Sequence, residues 1–173
     1  SAALRRYLEE DGVRFHGGFR ARSARVEGGE KVVTARDRSG RTVEARGEEI
    51  LVAAGRAPTV DSLGLENAGI EFGKQGVTVD EHLMTTAEGV YATGDVTGRM
   101  LFTHAAEHQS RTALTNALFP SNPIKQKIDH SAVPWATFTD PEVARVGLTE
   151  REAREQHGHA ESYRHDFADL DRA

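Results

Sequence analysis

Apolar positions along this chain change their period several times, and each change predicts an element. Leu4, Tyr7 and Leu8 recur at i, i+3, i+4 and predict a short helix over 2–10, with Gly12 as its stop. Val13–His16 follows as a short strand. Residues 19–46 read as an antiparallel β-meander, with Gly28-Gly29 and Ser39-Gly40 where hairpin turns belong. Many Arg and Glu residues in that stretch predict one solvated face. Ile50-Leu51-Val52-Ala53-Ala54 is continuously apolar, the pattern of a strand buried on both faces in a parallel sheet. It stops at Gly55-Arg56-Ala57-Pro58. Residues 59–89 read as linker-like, with Leu63, Leu65 and Ile70 as small anchors and a short strand over Val77–Val79. A second apolar run, from Val90, stops at Gly94-Asp95. Thr103–Leu118 is the longest predicted helix, with Ala105, Ala106, Gln109, Ala113 and Ala117 making a small-residue side, and Pro120 and Pro123 ending it. Val133–Leu148 predicts two short strands around the turn dipeptide Asp140-Pro141. Thr149 with Glu152 three residues on is a capping-box signature, which predicts a helix to about Gln156 and a stop at Gly158. Tyr163–Phe167 is expected to form a final strand.

Composition narrows the function classes. The 173 residues carry 38% hydrophobic and 28% charged side chains, an ordinary folded composition. A net charge of −5 gives no electrostatic footprint for nucleic acid, so no nucleic-acid partner is expected. No apolar run approaches the ~20 residues of a membrane helix, and no signal peptide opens the chain, so no membrane partner and a cytoplasmic address are expected. Cysteine is absent, which excludes a disulfide framework, a thiolate metal site and a thiol redox step within these residues.

The richest local chemistry lies in Val90-Tyr91-Ala92-Thr93-Gly94-Asp95-Val96-Thr97-Gly98 and the helix opening after Phe102. In open α/β sheets, ligands bind beyond the carboxyl ends of the strands. Gly94 lets a ligand pass close to the main chain. Asp95 accepts hydrogen bonds only, which suits sugar-type hydroxyls. The helix start offers unpaired N–H groups and a partial positive charge. Hydroxyl acceptor and anion site side by side match a nucleotide-type cofactor. Taken singly these residues have plainer readings: Asp95 as a turn aspartate, Gly55 as a turn glycine, Thr103 as a helix cap, Arg56 as a surface ion pair. His104-Ala105-Ala106-Glu107-His108 reads as H-x-x-E-H, which a zinc hydrolase would use, or as a helix start with a Glu107–Arg111 pair.

Three segments together, Ile50–Pro58 (ILVAAGRAP), Val90–Gly98 (VYATGDVTG) and Thr137–Glu150 (TFTDPEVARVGLTE), resemble the flavoprotein disulfide reductases, the family of lipoamide dehydrogenase, glutathione reductase and mercuric reductase. The Pro134-Trp135 lead-in and the Asp171-Arg172-Ala173 ending resemble mercuric-reductase-like members most. The resemblance implies an α/β chain: partial doubly wound nucleotide-binding domains with an antiparallel β-meander, plus the start of an α+β dimerisation domain. It implies residues 1–56 as the C-terminal part of an NAD(P)-binding domain, 57–128 as that of an FAD-binding domain, and 129–173 as the opening of the dimerisation domain. It further implies FAD and NAD(P)H as cofactors and a homodimer. Asp95 would hold the flavin ribityl chain beside Gly94. The main chain at Leu101, Phe102 and Thr103 would face the ring, and Gly55 would lie by the nicotinamide nucleotide.

The family's GxGxxG fingerprints, its redox cysteine pair and its C-terminal His-Glu pair do not occur in these residues. The expectation is therefore an internal fragment of such an enzyme, inactive alone, whose parent passes electrons from nicotinamide to flavin to a cysteine pair elsewhere, and on to a disulfide or mercuric ion. The alternative is a non-catalytic structural or interaction remnant without cofactor.

Overall fold

A computed structural model describes residues 2–169; the Asp171-Arg172-Ala173 ending lies outside the described residues. The chain divides into two compact units: the stretch up to Arg56 with Phe138–Val143, and Ala57–Thr137 with the stretch from Ala144 onward.

The first unit opens with helix α1 (Ala2–Glu10), whose outer face carries i,i+4 pairs Arg5–Glu9 at 2.8 Å and Arg6–Glu10 at 3.4 Å. Strands β1 (Arg20–Glu27), β2 (Glu30–Arg36) and β3 (Thr42–Gly47) then form the expected antiparallel meander in the order β1-β2-β3. Both residues of its first turn, Gly28 and Gly29, have positive φ (61° and 88°), as a twist-matched two-residue hairpin requires. In the second turn the Asp37 carboxylate accepts from Ser39 N and Arg41 N, each at 2.9 Å. Pairings such as Ala24↔Val33 and Val33↔Ala45 set the register, and Val32 is the buried residue of the sheet.

The second unit holds the larger core. Val60, Ile70, Val77, Val79, Leu83 and Ala113 pack together, with Tyr91, Val96 and Ile128 partly buried around them. Most of these residues come from the stretch that reads as a linker in sequence. Its order comes from a two-stranded sheet of β4 (Phe72–Gly73) and β5 (Gly76–Val77), and from bridges Val79↔Thr85 and Met84↔Tyr91. The Asp80 carboxylate holds the turn that the Val79↔Thr85 bridge closes, accepting from His82 N and Met84 N at 2.8 and 2.9 Å. Leu83 sits there at φ 67°. Left-handed backbone costs a branched residue ~1–2 kcal/mol, and burying a leucine side chain returns ~1.5–3 kcal/mol, so burial prevails.

Helix α2 (Thr103–Leu118) matches its expected span. Strands β6 (Trp135–Thr137) and β7 (Val143–Arg145) flank Asp140-Pro141. Helix α3 (Glu150–His157) begins at the full Thr149–Glu152 capping box and ends at Gly158 in the left-handed region. The Thr149 backbone and hydroxyl, with Arg145 paired to the same carboxylate, hold the Glu152 carboxyl down to about 2. No helix among the described residues is long and apolar enough to cross a membrane.

Three expected strands do not form. Val13–His16 is irregular, Tyr163–Phe167 is irregular up to a 3-10 turn that opens at Phe167, and Ile50–Ala54 is irregular too, with Leu51 and Val52 91% and 81% exposed. A strand exists through its neighbours. The meander and the β4–β5 pair are antiparallel, and no named sheet among the described residues includes these segments. The run before Gly94 is likewise reduced to the single Tyr91 bridge.

Two glycines of similar backbone test how the second unit closes. Gly98 (φ 66°) lies so close to Gln75 that an added Cβ would stand 1.8 Å from the Gln75 carbonyl oxygen, whereas Gly158 (φ 74°) faces open space. Gly158→Ala is expected to cost ~1–2 kcal/mol from backbone strain alone. Gly98→Ala is expected to cost about 3 kcal/mol or more, since it adds overpacking. Urea denaturation of the two variants measures the difference.

Candidate functional site

The Gly94-Asp95 segment forms a single 3-10 turn, Gly94–Thr97, laid against α2. Small residues make the approach possible. A Cβ on Gly94 would stand 3.1 Å from the Ala106 Cβ, and Gly94 also takes φ 74°. The bare main chain of Gly94 is thus used first for packing on α2.

Polar side chains then lock the turn. Gln109, on α2, is wholly buried (0% exposed), and its Oε1 accepts from Gly94 N at 2.6 Å. Thr97 Oγ1 donates to Gly94 O at 2.8 Å, Gly98 N donates to Asp95 O at 3.0 Å, and the Thr93 and Ser110 hydroxyls meet at 3.0 Å. Because a backbone N–H can only donate, Gln109 must turn its oxygen to Gly94 and its NH2 to the other side. That NH2 meets His130 Nε2 at 3.0 Å. His130 must therefore present a lone pair at Nε2 and carry its proton on Nδ1. Burial, then the positive neighbours Arg99 and His108, lower the His130 pKa, against a smaller opposing pull from Asp129. Neutral His130 is what the contact needs.

Two turns further along, Asn116 continues the buried polar stripe. It donates to the carbonyls of His82 (3.2 Å) and Gln126 (2.8 Å) and accepts from Gln126 N at 2.8 Å. Lys125 Nζ closes the end of α2 on the carbonyls of Asn116, Phe119 and Pro120 at 3.0–3.2 Å.

At the other end, α2 starts from Phe102 in extended conformation with no side-chain cap. The first helical bond runs from Ala106 N to Phe102 O at 3.0 Å. The N–H groups ahead of Ala106 carry the helix's partial positive charge. Leu101 and Phe102 are half-buried and Thr103 is exposed; Phe102 holds the cap position and Thr103 is the first helical residue, so the Thr103 side chain does not cap the helix. Asp95 is half-buried on the adjoining turn. Five of the expected cofactor-binding residues, Gly94, Asp95, Leu101, Phe102 and Thr103, therefore belong to the second unit. Gly55 belongs to the first, at φ 114°, with nothing within 4 Å of an added Cβ.

An acceptor-only carboxylate on a rigid turn and a helix start bare of side-chain caps are the donor and acceptor set a flavin's polyol and ring edge need, so these residues fit FAD. The first histidine and the glutamate of the H-x-x-E-H segment are otherwise employed. His104 stacks on Phe102 at 5.5 Å and donates from Nε2 to Pro134 O at 2.6 Å, while Glu107 pairs with Arg111 at 2.6 Å. Among the described residues no three candidate ligands gather as a metal site. In sequence Gln109 stands out only as part of a small-residue side, and neither its clamp on Gly94 nor the role of His130 is announced. Polar residues at 109, 112 and 116 share a face with Ala105 and Ala113, and that spacing is the available signal.

The His130 contact has a defined pH sign. Its folded pKa lies below the ordinary 6.5, so its contribution to stability is complete above 6.5 and lost as pH falls through the folded value. Thermal unfolding from pH 7 down to pH 5 is expected to lose more for the native protein than for His130→Gln, whose amide accepts without titrating. Equal pH slopes would contradict this role.

Comparison with known proteins gives the family. The profile of the family "Pyridine nucleotide-disulphide oxidoreductase" matches residues 1–110, and that of its dimerisation domain matches residues 133–173. A dihydrolipoyl dehydrogenase of Bacillus subtilis is 38% identical over 152 residues, covering 87% of this chain and 31% of the relative. A mercuric reductase of Bacillus cereus is 36% identical over 158 residues, covering 90% and 24%. Among solved structures, LpdA of Mycobacterium tuberculosis superposes with TM-score 0.74 at 35% identity, covering 90% of this chain and 32% of that one. The HOCl-induced flavoprotein disulfide reductase RclA of Escherichia coli gives TM-score 0.71 at 30% identity, covering 87% and 33%. The chain thus spans about a third or less of these relatives. Its architecture is that family's α/β fold with antiparallel strands, part of a nucleotide-binding domain and the start of a dimerisation domain. The chain belongs to the pyridine nucleotide-disulphide oxidoreductase family.

Proposed function

We propose that these residues are an internal part of a homodimeric, FAD-dependent NAD(P)H oxidoreductase acting on a disulfide or another small acceptor such as mercuric ion. The family is FAD-dependent with NAD(P)H as electron donor. In this reading residues 1–56 complete the NAD(P)-binding domain, 57–128 complete the FAD-binding domain, and 129–173 open the dimerisation domain. The division of the chain after Arg56 and the dimerisation match from residue 133 support that layout. The short coverage of the relatives and the absence of cysteine from the 173 residues support a cysteine pair located elsewhere in the parent.

When bound, FAD supplies the two-electron chemistry between nicotinamide and cysteine pair. The chain's own residues bind and orient. Asp95 accepts from a polyol hydroxyl. The main chain at Leu101–Thr103 faces the ring edge, with the Phe102 N–H itself turned onto Met100 O at 2.7 Å, and the helix terminus there stabilises negative charge by ~0.3–1 kcal/mol when exposed and more when buried. Gly55 leaves room for the nicotinamide nucleotide. The observation carrying this reading is the turn locked by Gln109, which holds an acceptor beside a helix start without a side-chain cap. It favours a cofactor site over a cofactor-free remnant.

In the full-length enzyme, Asp95→Ala is expected to weaken FAD retention about tenfold or more, the loss of one hydrogen bond to a charged group. Thr103→Ala should keep its flavin, because the donor there is the backbone. Flavin absorbance per polypeptide after dialysis measures both. Unchanged flavin in Asp95→Ala would overturn the assignment.

A further inference from the structure

The meander of the first unit treats its arginines in two ways. Toward the first hairpin they are neutralised. Arg25 reaches Glu27 at 3.1 Å and Glu44 at 2.9 Å, and Arg46 reaches Glu27 at 3.0 Å. Toward the other end they are not. Arg20 and Arg36 stand directly opposite each other in the β1–β2 register, and like charges in that position repel. Arg22 is the extra residue where the register shifts between Ala21 and Ser23 and has no partner on β2. Arg38 lies in the turn between β2 and β3. Among the described residues, Arg20, Arg22 and Arg38 take part in no ion pair.

These four arginines line one cavity of about 760 Å³, together with Gly17, Gly18 and Phe19. Asp37 is the carboxylate in its wall, and its oxygens are taken. Oδ1 accepts from Ser39 N, Ser39 Oγ and Arg41 N, and Oδ2 lies 3.3 Å from Arg41 Nε. Those contacts hold its pKa below the usual carboxylate range, with the Ser39 hydroxyl first among them. Arg36 is fixed by its Nε on Gly40 O at 3.0 Å, and Arg41 lies over the Phe19 ring at 5.0 Å. A chain of net charge −5 therefore keeps a concave concentration of uncompensated guanidinium groups on one edge of a rigid sheet.

From this geometry we infer that the cavity is an anion site for a small molecule bearing linked phosphates. Guanidinium forks match phosphate oxygens two at a time. The volume falls within the ~300–1,000 Å³ of small-molecule pockets and exceeds the needs of a single phosphate. Concavity on a short sheet edge favours a compact ligand over a long polyanion. Such a ligand also relieves the Arg20–Arg36 repulsion. This inference stands on the first unit alone and is independent of the flavin reading.

The test is calorimetric titration of the full chain with tripolyphosphate, orthophosphate and heparin. Tripolyphosphate is expected to bind one per chain, and orthophosphate at least roughly tenfold more weakly, since it engages fewer forks. Arg20→Gln, Arg22→Gln and Arg38→Gln are each expected to weaken tripolyphosphate roughly tenfold, one charge-assisted contact apiece. Arg25→Gln, on the neutralised end of the sheet, is expected to bind as the native chain does. Equal binding of orthophosphate, equal loss in Arg25→Gln, or no saturable binding would overturn the inference. So would heparin binding more tightly than tripolyphosphate with the same arginine dependence, which would make the surface one for a macromolecule.

Discussion

One carboxamide organises the second unit. Gln109 places a buried oxygen on Gly94 N and a buried NH2 on His130, tying the 94–97 turn, helix α2 and the segment leading into β6 to a single side chain. A buried polar group without partners costs more than a made hydrogen bond gains, so this arrangement is all or nothing. The Gln109 contacts dictate the His130 tautomer, and Ala106 makes room for Gly94. Everything proposed for Asp95 and for the start of α2 presupposes that the turn is held in this one place.

Legibility in the sequence followed the range of the determining interactions. Helix α3 was readable because Thr149 and Glu152 satisfy each other three residues apart. The meander was readable because Gly28-Gly29 dictates the turn and the turn dictates the register. The core of the second unit was not. Leu83 is buried through a left-handed backbone that no apolar period announces, and Asp80 builds that turn by local side-chain bonding. Ile50–Ala54 failed in the opposite sense. Its apolarity describes what it would pack against, while its backbone lacks a neighbouring strand in the sheets present.

The candidate site shows the same division. Gly94, Asp95 and the opening of α2 are close in sequence, and their residue types announce a turn, an acceptor and a helix start. The clamp is not local: Gln109 and His130 are 21 positions apart, and neither residue type signals the other. A buried glutamine on a small-residue helix face becomes informative only once the turn is seen to lie on it. Charge behaves similarly in the first unit. Arg25 and Arg46 are neutralised at one end of the sheet while, among the described residues, Arg20, Arg22 and Arg38 take part in no ion pair at the other, and strand register, not composition, separates them.

The most direct measurement of the central constraint is hydrogen exchange at the Gly94 amide, followed by NMR in the native chain and in Gln109→Ala. If the carboxamide holds the turn, Gly94 N–H exchanges as slowly as the buried amides of α2 around Ala113 in the native chain, and loses that protection selectively in the variant while α2 keeps its own. Exchange of Gly94 at the rate of an open loop in the native protein, or unchanged protection in Gln109→Ala, would contradict the account.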